Sequence, residues 1–187
     1  VKLLIVDNYD SFTYNLVQLV KQAGVHEFDL VKNDQLLGLK PDYDKVLISP
    51  GPGIASEVGQ LMEFLKLNYK STSILGICLG QEAIVELFGG RHHKLNRPLH
   101  GFQNSATVTE QHYIFKNLPA TFNVGHYHSW YVDESTLPEE LKILVKDELG
   151  LIMGITHKQY DVTGLFFHPE SMMTEHGQEM IKNWLGR

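Results

Sequence analysis

Gly76-Ile77-Cys78-Leu79-Gly80 sets the chain's single cysteine between two glycines. This GxCxG spacing has the form of a nucleophile elbow, in which glycine on both sides allows a tight turn that lifts the central side chain above a sheet. A helix starting at Leu79 would put its N-terminus behind the sulfur and favour the thiolate. The pentapeptide alone fits a buried structural cysteine equally well, because a free thiol is often a small core hydrophobe. His168-Pro169-Glu170 tips the balance. Residues i and i+2 of an extended segment point the same way, and Pro169 restricts the backbone between them, so Glu170 can hold the His168 imidazole. A carboxylate orienting a histidine is what the base of a cysteine nucleophile requires. The bland alternative has His168 capping a strand end and Glu170 opening the next helix. Of the ten histidines, only His168 is followed two residues later by a carboxylate across a proline.

Pro50-Gly51-Pro52-Gly53 is stiff at its prolines and open at its glycines, so its amides can approach a ligand closely. The N–H of Gly53, with that of Leu79, would form an oxyanion hole. His126-Tyr127-His128 presents two imidazoles on one side of a strand, with His100 or the His92-His93 pair as further ligands for a metal. The sequence holds no HExxH and no acidic ligand in register, and no metal is expected.

These residues need a scaffold that brings strand ends together. Leu3-Leu4-Ile5-Val6 reads as a buried strand, followed by a helix with Phe12, Leu16, Leu19, Val20 and Ala23 at helical spacing and a stop at Gly24. Phe28 to Val31, Val46 to Ile48 and Ser73 to Ile77 read as further strands, each preceded by enough chain for a helix or crossover. Leu79, Ala83, Ile84, Leu87 and Phe88 form one face of a helix that Gly89-Gly90 ends. From about His92 to Val145 the periodicity weakens, and Pro98, Pro119, Pro138 and β-type residues suggest antiparallel strands and loops. Leu151 to Thr156 and Thr163 to Phe167 read as strands, and Thr174 to Trp184 as a closing helix. The alternation predicts a doubly wound α/β fold: a mostly parallel sheet with helices on both faces and an antiparallel addition, in one domain over residues 1–187. Ligands of such sheets bind beyond the carboxyl ends of the strands. The loops after residues 7, 49, 77 and 167 stand there.

Composition fits one globular domain. The chain has 187 residues, 43% hydrophobic and 20% charged, and 16 basic against 22 acidic residues give a formal charge of −6. No Lys or Arg run supports binding to nucleic acid or an anionic membrane. The longest apolar runs, Ile74 to Leu79 and Leu149 to Ile155, are broken by glycine and far too short for a membrane span. Val1 to Val6 meets Asp7 without the layout of a signal peptide, and one cysteine excludes an intramolecular disulfide, so a reducing cytoplasm is expected.

Taken together, the motifs resemble those of the class I (triad) glutamine amidotransferases. Gly76 to Gly80 is similar to that family's nucleophile motif, Phe167-His168-Pro169-Glu170-Ser171 to its base motif, and Pro50-Gly51-Pro52-Gly53 to its oxyanion loop, in the family's order. Asp7-Asn8-Tyr9-Asp10-Ser11-Phe12-Thr13-Tyr14-Asn15-Leu16 resembles the start of the small subunits of anthranilate synthase and aminodeoxychorismate (4-aminobenzoate) synthase, as do His100-Gly101 and Tyr127-His128-Ser129-Trp130. The resemblance implies that Cys78 attacks the side-chain amide of L-glutamine, that His168 moves protons and Glu170 orients it, and that Gly53 and Leu79 form the oxyanion hole. It also implies glutamine-binding positions at Gly51, Gly53, Leu79, Glu82, Ser129 and Trp130. Ammonia would pass to a chorismate-utilising synthase large subunit (component I), with no cofactor in this chain.

The sequence departs from the family pattern where Cys-Leu-Gly-His-Gln becomes Cys78-Leu79-Gly80-Gln81-Glu82. An ionised Glu82 would only accept hydrogen bonds and would place a negative charge near the sulfur; otherwise Glu82 merely suits a helix's first turn. Phe102 stands where the subgroup usually has lysine, and His126 where it usually has arginine. A non-catalytic scaffold that only binds a synthase is the second reading, favoured by Glu82 and opposed by Cys78, His168 and Glu170. The third is a flavodoxin-like or receiver-type binding module, although Ser49-Pro50 stands where a receiver needs its phosphoacceptor aspartate.

Overall fold

The computed structural model describes residues 1–39 and 42–187. Among the described residues, nine strands form one sheet with a parallel and an antiparallel half. β1 (Leu3–Asp7), β2 (Asp29–Lys32), β3 (Lys45–Ile48), β4 (Ser73–Ile77) and β9 (Val162–Leu165) are the parallel strands. β5 (His92–Val108), β6 (Thr121–Val132), β7 (Leu141–Asp147) and β8 (Ile152–His157) continue the sheet antiparallel, and the spatial order is β2-β1-β3-β4-β9-β8-β7-β5-β6. This is the doubly wound arrangement with an antiparallel addition that the strand and helix alternation predicts.

β1, β3, β4 and β9 are mostly apolar and buried at every position but Ser73, because both their faces are covered. Leu3, Ile5, Leu47, Leu75 and Ile77 face Leu16 and Val20 of helix α1 (Thr13–Gln22) and Met180, Ile181 and Trp184 of helix α4 (Gly177–Leu185). Leu4, Val6, Val46, Ile48 and Ile74 face Leu61 and Leu65 of helix α2 (Leu61–Asn68) and Ala83 and Ile84 of helix α3 (Leu79–Leu87). Trp184 pins α4 to the sheet: its indole N–H donates to Ser73 Oγ at 3.1 Å, and its carbonyl accepts from the buried Lys45 Nζ at 3.0 Å. Burial lowers the Lys45 pKa below its ordinary value.

Three elements differ from the sequence expectation in extent. The last parallel strand ends at Leu165, and Phe166 and Phe167 continue beyond it as buried, non-strand residues. The closing helix starts at Gly177, because His176 takes a left-handed conformation at φ 62° that interrupts the helical path from Thr174. Residues 92–108, where the periodicity fails, form one 17-residue strand with pairing shifts between Lys94 and Leu99 and between His100 and Phe102. Such irregularities break the period of two that a regular strand would show.

Inside α3, Gln81 is fully buried beneath β9, and a Cβ on Gly164 would stand 2.8 Å from Gln81 Cγ. Neither polar atom of its amide has a hydrogen-bond partner among the described residues. An unpaired buried amide costs about 1–3 kcal/mol. Replacing it with methionine, close in volume and free of that demand, should stabilise the chain. Gln81→Met is expected to raise the thermal midpoint by roughly 2–4 °C per kcal/mol gained. Calorimetry checks this, and an unchanged or lower midpoint would show that the amide is satisfied.

Candidate active site

Cys78 occupies the turn between β4 and α3 with φ 51° and ψ −100°, a conformation that a non-glycine residue holds at a cost of about 1–3 kcal/mol. Its neighbours permit the turn. A Cβ on Gly76 would lie 2.5 Å from the Gly80 carbonyl carbon, and one on Gly80 would lie 3.1 Å from Ile48 Cβ. Both glycines of the motif are thus needed so that helix and strand can approach. The turn is fastened by the Cys78 N–H, which donates to Leu165 O at 2.8 Å, and by the Glu82 N–H, which donates to Cys78 O at 3.0 Å.

The same bond to Leu165 ties the cysteine to the strand that leads to His168. Ile77 pairs with Leu165 in register, so the chain leaves β9 beside the nucleophile turn and reaches His168 three residues later. His168 Nδ1 lies 2.6 Å from Glu170 Oε1, and both side chains are buried. His168 Nε2 is also buried and has no hydrogen-bond partner among the described residues. With Nδ1 committed to the carboxylate, Nε2 is the nitrogen open to take a proton.

Two rings that the sequence reading treated otherwise hold this imidazole edge-on. Phe12, read as a helix core residue, lies 5.5 Å from the His168 ring, and Tyr127 lies 4.9 Å from it. Phe12 and Tyr127 touch each other at 5.0 Å. The backbone is held as well, since the His168 N–H donates to Gly125 O of β6 at 3.3 Å and Thr174 Oγ1 accepts from the Gly125 N–H at 2.9 Å. No spacing in the sequence signals these contacts, because they join segments far apart along the chain.

Gly51 of the Pro-Gly loop lies against both neighbouring turns. A Cβ there would stand 2.5 Å from Asn8 Cβ and 2.8 Å from Leu79 Cδ2. Asn8 is itself fixed: its N–H donates to Ser49 Oγ at 2.9 Å, its Nδ2 to Ser49 O at 2.7 Å, and Asn33 Nδ2 donates to its Oδ1 at 3.0 Å. Gly53 adopts φ +91°, open to glycine and strained for other residues. Ser129 lies two residues beyond Tyr127 on the same side of β6, with its hydroxyl 3.2 Å from His100 Nε2. Trp130 follows it, half-buried, and its carbonyl accepts from His128.

His126 and His128 do not assemble a metal site. Their rings bond each other at 2.9 Å, and among the described residues no group of three His, Cys, Asp or Glu side chains could hold a metal ion.

Electrostatics at the cysteine differ from the expectation of a thiolate. The Leu79 N–H does stabilise the anion, but burial pushes the Cys78 thiol well above its ordinary value, and Glu82, Glu170 and Asp10 push in the same direction. Desolvation therefore outweighs the helix N-terminus, and the resting group is a thiol. Glu82 also departs from the ionised state assumed from its type. It is 6% exposed, and burial, reinforced by Glu86, pushes its pKa up to about 8. At neutral pH its carboxyl is mostly protonated, so it can donate as well as accept.

The class-I glutamine amidotransferase family model matches residues 4–186. Anthranilate synthase component 2 of Lactococcus lactis is 39% identical over 188 residues, covering 99% of this chain and 94% of that protein. Aminodeoxychorismate synthase component 2 of Klebsiella aerogenes is 37% identical over 190 residues, covering 99% of this chain and 100% of that protein. Among solved structures, a Thermoplasma acidophilum chain provisionally ascribed to GMP synthase superposes with a TM-score of 0.88 at 25% identity, covering 100% of this chain and 92% of that one.

A raised carboxyl pKa makes a signed prediction for Glu82. The folded chain keeps this proton up to about pH 8 while the unfolded chain releases it near the ordinary 4.5, so the group's contribution to stability falls as pH rises between those values. The slope is about 1.4 kcal/mol per pH unit. Glu82→Gln removes it, and the variant should gain stability on the parent as pH rises through that window. Parallel midpoints from denaturant titrations at pH 5 and pH 8 would refute the raised value.

Proposed function

Because the chain belongs to the class-I glutamine amidotransferase family, we propose that it hydrolyses L-glutamine at Cys78 and delivers the ammonia to a chorismate-aminating synthase, with Cys78, His168 and Glu170 as the triad. The observation that carries this is the junction of β4 and β9, where a strained cysteine and a carboxylate-held histidine leave adjacent strand ends.

Each step uses a group already described. His168 Nε2 takes the Cys78 thiol proton as the sulfur attacks the glutamine δ-carbon. The thiol's raised pKa means that this transfer awaits the substrate. The tetrahedral oxyanion is met by the N–H groups of Leu79 and Gly53. As the C–N bond breaks, the leaving nitrogen takes the proton from His168 and departs as ammonia, leaving a γ-glutamyl thioester on Cys78. Water then attacks the thioester, giving its proton to His168, which returns it to the sulfur as glutamate leaves. Glu170 holds the imidazole's Nδ1–H throughout. Gly51, Glu82, Ser129 and Trp130 line the glutamine; a protonated Glu82 removes the charge that favoured the scaffold reading.

The partner is a synthase large subunit, because the similar component 2 proteins are named for anthranilate synthase and aminodeoxychorismate synthase. Apolar side chains exposed on the loops around the site, Tyr9, Ile54 and the fully exposed Met172, suit a large partner seated on this edge. No helix among the described residues is long and apolar enough to cross a membrane, and the reading places the protein in the cytoplasm without a cofactor of its own.

Reconstitution with component I, chorismate and glutamine tests the proposal. Cys78→Ala should abolish glutamine-dependent product while the complex still uses added ammonium salt. Loss of both activities would assign Cys78 a structural role. Whether anthranilate or aminodeoxychorismate forms identifies the partner's chemistry.

A further inference from the structure

Behind the wall that carries Ser129 and Trp130 runs a buried chain of polar side chains that the glutamine chemistry does not use. His128 Nδ1 lies 2.7 Å from Trp130 O. His128 Nε2 lies 2.9 Å from His126 Nδ1, and His126 Nε2 lies 2.5 Å from Asn104 Oδ1. Asn104 Nδ2 donates to Asp147 Oδ2 at 3.0 Å, and that oxygen lies 3.9 Å from His126 Nε2. Asp147 Oδ1 accepts the N–H groups of Leu149 at 3.0 Å and Leu151 at 2.8 Å. All four side chains are buried.

Counting donors along this chain fixes its protons. Trp130 O only accepts, so His128 Nδ1 carries hydrogen. Burial and the neighbouring His126 push the His128 pKa down to about 3, so that ring is neutral and its Nε2 is bare. His126 Nδ1 must then carry hydrogen to donate to it. If His126 were neutral, its Nε2 would also be bare and would face the Asn104 carbonyl oxygen, setting two acceptor atoms 2.5 Å apart. Turning the Asn104 amide over does not help. It moves the conflict to the far end, where the amide oxygen would face Asp147 at 3.0 Å. Every arrangement with two neutral rings and an ionised Asp147 leaves one contact repulsive; one added proton removes it.

Whichever way the Asn104 amide stands, Asp147 Oδ1 accepts the backbone N–H groups of Leu149 and Leu151, and two such donors suit a carboxylate. The added proton therefore belongs on His126 Nε2. Among the influences on this ring, burial is the largest and holds its pKa below the ordinary value; Asp147 from β7 favours the charge, and His168 from the loop after β9 opposes it. His128 borders it on β6, and His100 of β5 acts on His128. The apolar ring of Phe102 covers it at 5.8 Å. Burial alone favours a neutral ring, but a neutral ring leaves the acceptor clash in place, and the count of donors decides.

We propose that this chain holds one proton, seated on His126 as an imidazolium between His128 and Asn104, and that His126 thereby positions the β6 wall of the glutamine site. Through His128 the charged ring fixes the Trp130 carbonyl. On the same strand Gly125 O holds the His168 N–H, and the Tyr127 ring holds the His168 imidazole. When the proton leaves, facing acceptors repel and the wall loses its register. The positioning role rests on the glutamine-hydrolysis reading; the proton assignment does not.

Two measurements test it. In the unmodified chain at pH 7, nitrogen-15 NMR of the histidine rings should show both nitrogens of His126 bearing protons and His128 neutral; a neutral His126 ring overturns the proposal. Its midpoint read by pH titration then sets the kinetic window. Above that midpoint the charged fraction falls about tenfold per pH unit. The KM for glutamine of the complex with component I should rise with it, whereas in His126→Arg, a permanent cation, this rise should be absent. Glu82 titrates in both proteins, so the difference between the two profiles reports His126. Identical profiles would overturn the positioning role. Absence of glutamine turnover in either protein, with a charged His126 ring, would instead defeat the hydrolysis reading. If the arginine variant does not fold, His126→Gln replaces it, with a raised KM at pH 7 expected and an unchanged KM overturning the role.

Discussion

The hydrogen bond from the Cys78 amide to Leu165 O is the constraint on which the site depends. It extends the parallel pairing of β4 and β9 by one step past the last strand residue, at the point where the nucleophile turn begins. Because parallel strands deliver their carboxyl ends to the same edge, one register decides how far the cysteine stands from the loop that carries His168. Slipping the pairing by one residue would move that loop by about 3.3 Å along the strand and turn every side chain to the other face. Leu165, Ile77 and Leu75 are buried against the helices, so the core enforces the register that sets Cys78 beside the segment leading to His168.

Burial secures this geometry and also sets the protonation of what it encloses. The same dry surroundings that hold the His168–Glu170 pair raise Cys78 and Glu82 together. A thiol and a carboxylic acid side by side are compatible at neutral pH, where a thiolate and a carboxylate would repel. At position 82 burial therefore gives the acid the hydrogen-bond donor that an amide would have had. Only a change that reopened this pocket to water would restore the charge that residue type suggests.

The parallel half of the fold was legible because its signals are local. Leu3 to Val6 and Ile74 to Ile77 are uninterrupted apolar runs, and Cys78 and His168 sit in motifs whose glycines and proline follow from the turns they make. Helix α2 escaped assignment, its eight residues lying in a crossover with no clear cap. Strand β5 was hidden by pairing shifts around Pro98 and Gly101 that erase the period of two. Phe12 is legible only as an apolar helix position and Tyr127 only as part of the Tyr127–Trp130 stretch, since their contact with His168 depends on three segments meeting. The state of Glu82 was misread for a related reason: side-chain type fixes the ordinary pKa, and burial, which sequence does not display, moved it.

The two halves of the sheet hold their parts of the site by different physics. Apolar packing holds β4 and β9 on both faces, and such packing is indifferent to pH. Behind the end of β6 that carries Ser129 and Trp130 there is instead a line of hydrogen bonds through His128, His126, Asn104 and Asp147. A polar chain of this kind costs more to bury than leucines would and is worth its hydrogen bonds only when every member is satisfied. The division follows from what each half must do. For the proposed chemistry the Cys78 turn has to be invariant, because a strained cysteine out of register does nothing. Under the proposed hydrolysis, the wall that carries Ser129 and Trp130 has a hold that one proton can loosen, while the apolar core beneath Cys78 and His168 stays as it was.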